Sequence, residues 1–250
     1  NEVSEILTKR DQFTAELEQL AGNEENMNKL AKEIEKKEKK VAKLAIELAD
    51  MREIGAKALK QGVEKELKEL HMNGVRFGVD FNYPPDPQGF VQYHKENLKP
   101  TSIGLGTLEF LFSPNPGEEL RPLAKIASGG ELSRIMLALK SILNKQDTIP
   151  VMIFDEVDTG IGGRIAEKVG TKLKKVAETK QVFCITHLPQ IAGMASTHFR
   201  VEKNVQGKRT RAGIRQLEFA ERVEELARMS SGEKITEASL QHARELISDH

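Results

Sequence analysis

The chain has 250 residues, 38% apolar, 30% charged and 5% aromatic, and its 38 Lys and Arg balance 38 Asp and Glu. Zero net charge removes any global electrostatic argument for a nucleic-acid partner, so such a contact has to come from a local patch. One cysteine, Cys184, excludes an internal disulfide and fits a reducing compartment. No apolar run approaches the roughly 20 residues that span a bilayer, and no signal peptide is visible. A chain that opens on Asn1 and is helical in pattern almost at once reads as a piece of a longer polypeptide.

Residues 1–72 are rich in Glu, Lys, Leu and Ala and hold no proline. Met27, Leu30, Ile34, Val41, Leu44, Leu48 and Met51 recur at spacings of three and four, broken only by a Lys at 37, which is a heptad seam. Phe13, Leu17 and Leu20 lie in a different phase, and "AGNEEN" (21–26) between the two segments predicts a break or stutter. A helix packed flat on its own domain is one reading; the charge density all round favours a projecting coiled-coil arm, whose partner helix must come from elsewhere.

From Val75 the period changes to two. "VRFGVDF" (75–81) reads as a strand, residues 82–100 with four prolines as a loop, and "IGLGTLEFLF" (103–112) as a second strand. A helix over 130–144 follows, then strand 151–154, helix 164–178, strand 182–186 and a short helix near 188–195. Residues 198–217 read as a hairpin turning at Gly207, and amphipathic helices near 219–229 and 234–248 close the chain. The alternation of strand and helix in the middle argues a parallel α/β sheet.

Three short stretches in that middle carry chemistry. "IASGGELSRIMLAL" (126–139) opens a helix with Ser128, Gly129 and Gly130. Backbone N–H groups freed of side chains at a helix start form an anion site, suited to a nucleotide γ-phosphate, and Ser128 adds a hydroxyl donor. The other reading is a tight turn capping a core helix. "PVMIFDEVDTGIGG" (150–163) reads as a buried central strand ending in Asp155 and Glu156. Ligands of parallel sheets bind at the carboxyl ends of strands. In nucleotide hydrolases this arrangement is the Walker B strand, in which the Asp holds Mg²⁺ and the following Glu polarises the attacking water. A strand running into an acidic turn is the alternative. "VFCIT" (182–186) then ends in Thr186 and His187, which would lie beside the two carboxylates if the strands are neighbours.

Together "KIASGGELSRIMLALK", "FDEVDTGIGGRIAEKVG", "THLPQIA" and "ERVEELARM" resemble the RecN family of bacterial DNA-repair ATPases, relatives of the SMC proteins. The resemblance covers almost the whole chain and is most specific between residues 124 and 192. It implies an α/β fold, the C-terminal half of an ABC-type ATPase head (73–250), preceded by a coiled-coil arm (1–72). It implies that Ser128, Gly129, Gly130 and Glu131 match the ABC signature, which contacts ATP bound on the opposite subunit. Asp155 matches the Mg²⁺-associated aspartate, Glu156 the catalytic base, Asp158 the D-loop that communicates across the dimer, and His187 the switch histidine. The implied function is repair of DNA double-strand breaks in the bacterial cytoplasm, at the nucleoid, by a homodimer of heads that sandwiches ATP, with DNA as partner and no membrane.

One motif is missing. No G-x-x-x-x-G-K-[ST] occurs, and the one Gly-Lys pair, Gly207-Lys208, is followed by Arg209. In this family the phosphate-cradling loop belongs to the N-terminal half of the polypeptide, before the coiled coil, so that half is an implied partner and the fragment alone is expected to be inactive. Lys203, Lys208, Arg209, Arg211 and Arg215 against one acid, Glu202, make the hairpin a candidate DNA-phosphate patch, a solvated hairpin being the alternative. Two rival functions stay open: an SMC-like tether whose head is gated by ATP without hydrolysing it, and the ATPase subunit of a transporter. Glu156 speaks against the first, and the heptad arm against the second.

Overall fold

The computed structural model describes residues 2–115, 117–125, 129–206 and 209–248, without the side chains of residues 18, 21, 24, 25, 203–206 and 209–211. In chain order the elements are α1 (Glu2–Glu69), β1 (Arg76–Asn82), β2 (Val91–Tyr93), β3 (Glu96–Leu98), β4 (Thr107–Ser113), β5 (Arg121–Pro122) and α2 (Gly129–Leu143). Then follow β6 (Val151–Phe154), α3 (Arg164–Ala177), β7 (Gln181–Cys184), α4 (Pro189–Gly193), β8 (Phe199–Gln206), β9 (Arg209–Gln216), α5 (Phe219–Ser231) and α6 (Glu237–Ser248). The chain divides into two compact units, Asn1–Ala56 with Phe81–Leu108, and Lys57–Asp80 with Glu109–His250.

In the first unit the helix runs without interruption through residues 21–26, so of the break or stutter expected there the break is absent. That stretch holds no proline, and one glycine inside a long helix costs only about 1 kcal/mol, which the flanking Glu, Lys and Leu turns absorb. The seam from Met27 to Met51 is exposed throughout the described side chains. What packs against the rest of the unit is a different face: Ala42, Ala45, Ile46 and Ala49 meet Val91, Tyr93, Leu98 and Leu105. Alanines at spacings of three and four let the backbone of a second element approach closely. That element is the β2–β3 hairpin, antiparallel with Tyr93 opposite Glu96, inside the stretch expected to be loop. Its two turn residues, His94 (φ 49°) and Lys95 (φ 70°), both take the left-handed conformation of a two-residue turn usually filled by Asn and Gly.

The core of the second unit gathers Val63, Leu67 and Leu70 from the end of α1 and its following turn, Phe77 and Phe112 from β1 and β4, and the inner faces of α2, β6 and α3. Phe77 and Phe112 are fully buried with ring centroids 5.0 Å apart. β6 and β7 pair in parallel with Phe154 opposite Cys184, and α3 makes the crossover between them. The expectation of a strand buried on both faces is corrected. Met152 and Phe154 are 6% and 5% exposed, but Val151 and Ile153 are 41% and 70% exposed, and Phe183 and Ile185 of the β7 run share that open face. An apolar run predicts two covered faces; here α2 and α3 cover one. α5 and α6 pack on each other and on α4 through Val223, Leu226, Ala227, Ala243 and Ala192.

Candidate functional site

The parallel pairing carries β6 and β7 to the same end, and Ile185 N donates to Phe154 O at 2.9 Å, so the segments leave the sheet side by side. Asp155 and Glu156 therefore stand next to Thr186 and His187, as the order of strands predicted. Both acids are exposed. Glu156 N donates to Asp155 Oδ1 at 2.9 Å, and Ser133 Oγ of α2 donates to the Asp155 carbonyl at 2.6 Å, which ties the strand end to the helix. Glu156 has φ 58°, a conformation that a residue with a Cβ rarely holds and that marks a strained turn. Thr159 N closes that turn onto Glu156 O at 3.1 Å.

The glycines that open α2 face this turn. A Cβ on Gly129 would stand 2.0 Å from Glu156 Oε2; one on Gly130 would stand 2.9 Å from Thr159 Cβ and 3.1 Å from Glu156 O. The glycines thus permit a close approach between the helix start and the acidic turn within one chain, whereas the resemblance divides these two groups between subunits. Ser128 lies outside the described residues. Glu131 sits in the first turn of α2, where a carboxylate interacts favourably with the helix dipole.

Asp158 is 3% exposed, the most enclosed group of the site. Its Oδ2 accepts from Thr186 Oγ1 at 2.5 Å and from His187 N at 2.9 Å, and lies 3.0 Å from His187 Nδ1. Thr186 Oγ1 in turn accepts from Leu188 N at 3.0 Å, just ahead of α4. Arg134, in the second turn of α2, is also buried; its Nη1 donates to Val157 O at 3.3 Å and Thr159 O at 2.8 Å, gripping the loop on both sides of Asp158. Burial lowers the Arg134 guanidinium pKa, against the opposing charge of Glu131. Neither Ser133 nor Arg134 stood out in the sequence. Their one signal was a Ser-Arg pair beginning a helical turn after the glycines. Cys184 looks inward; burial, then the charges of Asp158 and Asp155, push its thiol up to about 12.

The basic hairpin is only partly described. Lys208 and the side chains of Lys203, Arg209 and Arg211 lie outside the described residues. Arg215 is ion-paired with Glu221 at the start of α5, a carboxylate held below its usual range by the Glu218 N–H first and by Arg215 second.

For Mg²⁺ the donor set fits. Asp155 is an exposed carboxylate, a hard oxygen donor, at a strand end, and this ion takes one or two carboxylates, completing its shell with water and phosphate oxygens.

The site is a parallel β–α–β unit with an Asp-Glu pair and a histidine at adjoining strand ends, against a helix opened by two glycines, in an α/β chain that begins with one long helix. No protein-family model matches the chain. It is 37% identical to the DNA repair protein RecN of Bacillus subtilis over 247 residues, 98% of this chain and 43% of that protein. It is 44% identical to the DNA repair protein RecN of Rickettsia felis over 222 residues, 89% of this chain and 38% of that one. The Smc head domain with a coiled coil and joint from Pyrococcus yayanosii is 18% identical, with a TM-score of 0.46, over 72% of this chain and 30% of that chain. The chain belongs to the RecN family and matches the C-terminal part of its members. Among the described residues no helix is long and apolar enough to cross a membrane.

Proposed function

We propose that this chain supplies the C-terminal part of an ATPase that acts in DNA double-strand-break repair, hydrolysing ATP in a homodimer of heads. The observation that carries the reading is the meeting of Asp155, Glu156 and His187 at the ends of two hydrogen-bonded parallel strands. The exposed apolar face of β6 and β7 supports it too, since an N-terminal half bearing the phosphate loop would have a surface to cover. Mg²⁺ would neutralise charge on the phosphates of bound ATP. Asp155 would hold that ion through one carboxylate oxygen, while Glu156 N stays on its Oδ1 and Ser133 Oγ on its main-chain carbonyl. Glu156 would accept the proton of the attacking water. His187 would meet the terminal phosphate. Gly129, Gly130 and Glu131, with Ser128, would meet the nucleotide of the opposite head, and Asp158 would lie at the junction.

The test joins this chain to its N-terminal half and follows ATP turnover and light scattering. Glu156→Gln should still form the ATP-closed dimer while hydrolysis falls roughly 10²–10⁴-fold, the usual contribution of a positioned proton acceptor. Parental turnover in Glu156→Gln would reject the assignment, and closure without any parental hydrolysis would favour an ATP-gated tether.

A further inference from the structure

We infer that Asp158 is a positioning residue for His187 of its own chain, fixing which imidazole nitrogen carries hydrogen and which faces the site. The inference deepens the proposed ATPase and rests on that reading for its catalytic consequence, though not for its geometry.

The two ends of the histidine are in different surroundings. Its Nδ1 lies 3.0 Å from Oδ2 of a carboxylate whose side chain is 4% exposed, while the imidazole as a whole is 71% exposed. A carboxylate oxygen only accepts, so the nitrogen beside it must be the one that donates. In the neutral ring this leaves Nε2 with a lone pair, turned toward solvent. The same carboxylate receives the His187 backbone N–H, which removes the freedom of the residue to rotate as a whole, and Thr186 Oγ1, which sets the loop. Asp158 is itself held from outside: Arg134 donates to the carbonyls of Val157 and Thr159 on either side of it. Asp158 is thus wired to α2 through the backbone and to His187 through its side chain.

The chemical consequence is that Nε2 is the one ring atom able to meet a nucleotide. It does so as an acceptor in the neutral ring, and as a donor once the ring takes a proton, with Asp158 then neutralising the imidazolium. An orienting partner of this kind typically alters activity 10–100-fold when removed, as for the partners of metal-bound histidines.

The test is ¹⁵N NMR of the histidine side chains in the 250-residue chain, at a pH where the imidazole is neutral, with the His187 signals assigned by their loss in His187→Gln. The parent should show His187 protonated at Nδ1. Asp158→Asn, which keeps the volume and can still accept from Thr186, should move the hydrogen toward Nε2. Thr186→Val removes a hydrogen bond from the same carboxylate without touching Nδ1, and should leave the parental form. In the polypeptide joined to its N-terminal half, Asp158→Asn and His187→Gln should each lower kcat about 10–100-fold, and the double variant should fall no further than the worse single one. Parental His187 protonated at Nε2, or Thr186→Val shifting the ring as far as Asp158→Asn does, would overturn the inference. Additive losses in kcat would overturn it too. Absence of ATPase activity in the joined polypeptide would reject the proposed function and leave the NMR result standing.

Discussion

Two groups of carboxylates in this chain differ in their surroundings. In the first unit, Tyr93 OH donates to Asp50 Oδ1 at 3.0 Å, and Glu53 Oε1 lies 3.2 Å from Tyr83 OH, 3.3 Å from Tyr93 OH and 3.5 Å from His94 Nε2. Phenols and an imidazole have occupied these acids, and burial, then the Asp50 bond, raise the Tyr93 pKa well above the usual tyrosine range. In the second unit, Asp155 and Glu156 stand exposed at the end of a strand, held by backbone and hydroxyl groups that leave carboxylate oxygens facing water. The lesson is that hydrogen-bond partners, more than the acids themselves, separate a structural carboxylate from one open to chemistry.

The largest effect expected is on the framework that places the second group. Phe112→Ala removes a fully buried ring beside Phe77 and should destabilise the second unit by about 3–5 kcal/mol, read by denaturant unfolding. A loss below about 1 kcal/mol would mean that the site does not depend on this core. Next come the glycines. Gly130→Ala drives a methyl against Thr159 Cβ and the Glu156 carbonyl, and should cost about 1–3 kcal/mol. Gly129→Ala meets only the movable end of Glu156, so the melting temperature should hold while the carboxylate is displaced and turnover drops. Equal melting temperatures for the two variants would remove the distinction between backbone and side-chain contact.

A smaller effect is expected in the first unit. Tyr93→Phe leaves Asp50 without its phenol donor and should cost about 1–3 kcal/mol, with ATP turnover in the joined polypeptide unchanged. A loss of turnover without a loss of stability would blur the contrast between the two units. The least effect concerns Cys184. Its folded thiol titrates at about 12, above the ordinary 9.0, so the folded chain holds a proton that the unfolded chain releases. Stability should therefore be flat below pH 9.0 and fall as pH rises from there toward about 12, with alkylation at about pH 8 slow in the folded state. Rapid alkylation under those conditions would place the thiol outside the core.

What the sequence revealed and what it hid follow a physical division. β6, α3 and α2 were legible because local patterns decide them: an apolar run after a proline, then apolar residues at 3.6 spacing. Asp155, Glu156, Thr186 and His187 were legible as a group because parallel strands joined by a crossover end on the same side. The β2–β3 hairpin was hidden, since His94-Lys95 carries none of the Gly or Asn that usually marks such a turn. The alanine face of α1 was hidden behind the stronger Leu and Met seam. The contacts of Asp158 and Arg134 were hidden because they are made with partners 29 and 25 residues away.

The most direct measurement sets the two kinds of carboxylate side by side, as ATP turnover and thermal melting of Glu156→Gln and Glu53→Gln in the polypeptide joined to its N-terminal half. The expected result is that Glu156→Gln loses roughly 10²–10⁴-fold in turnover with its melting temperature intact, while Glu53→Gln melts earlier and turns over ATP like the parent. Parental turnover in Glu156→Gln, or loss of turnover in Glu53→Gln with unchanged melting, would contradict the assignment of chemistry to the end of β6 and β7.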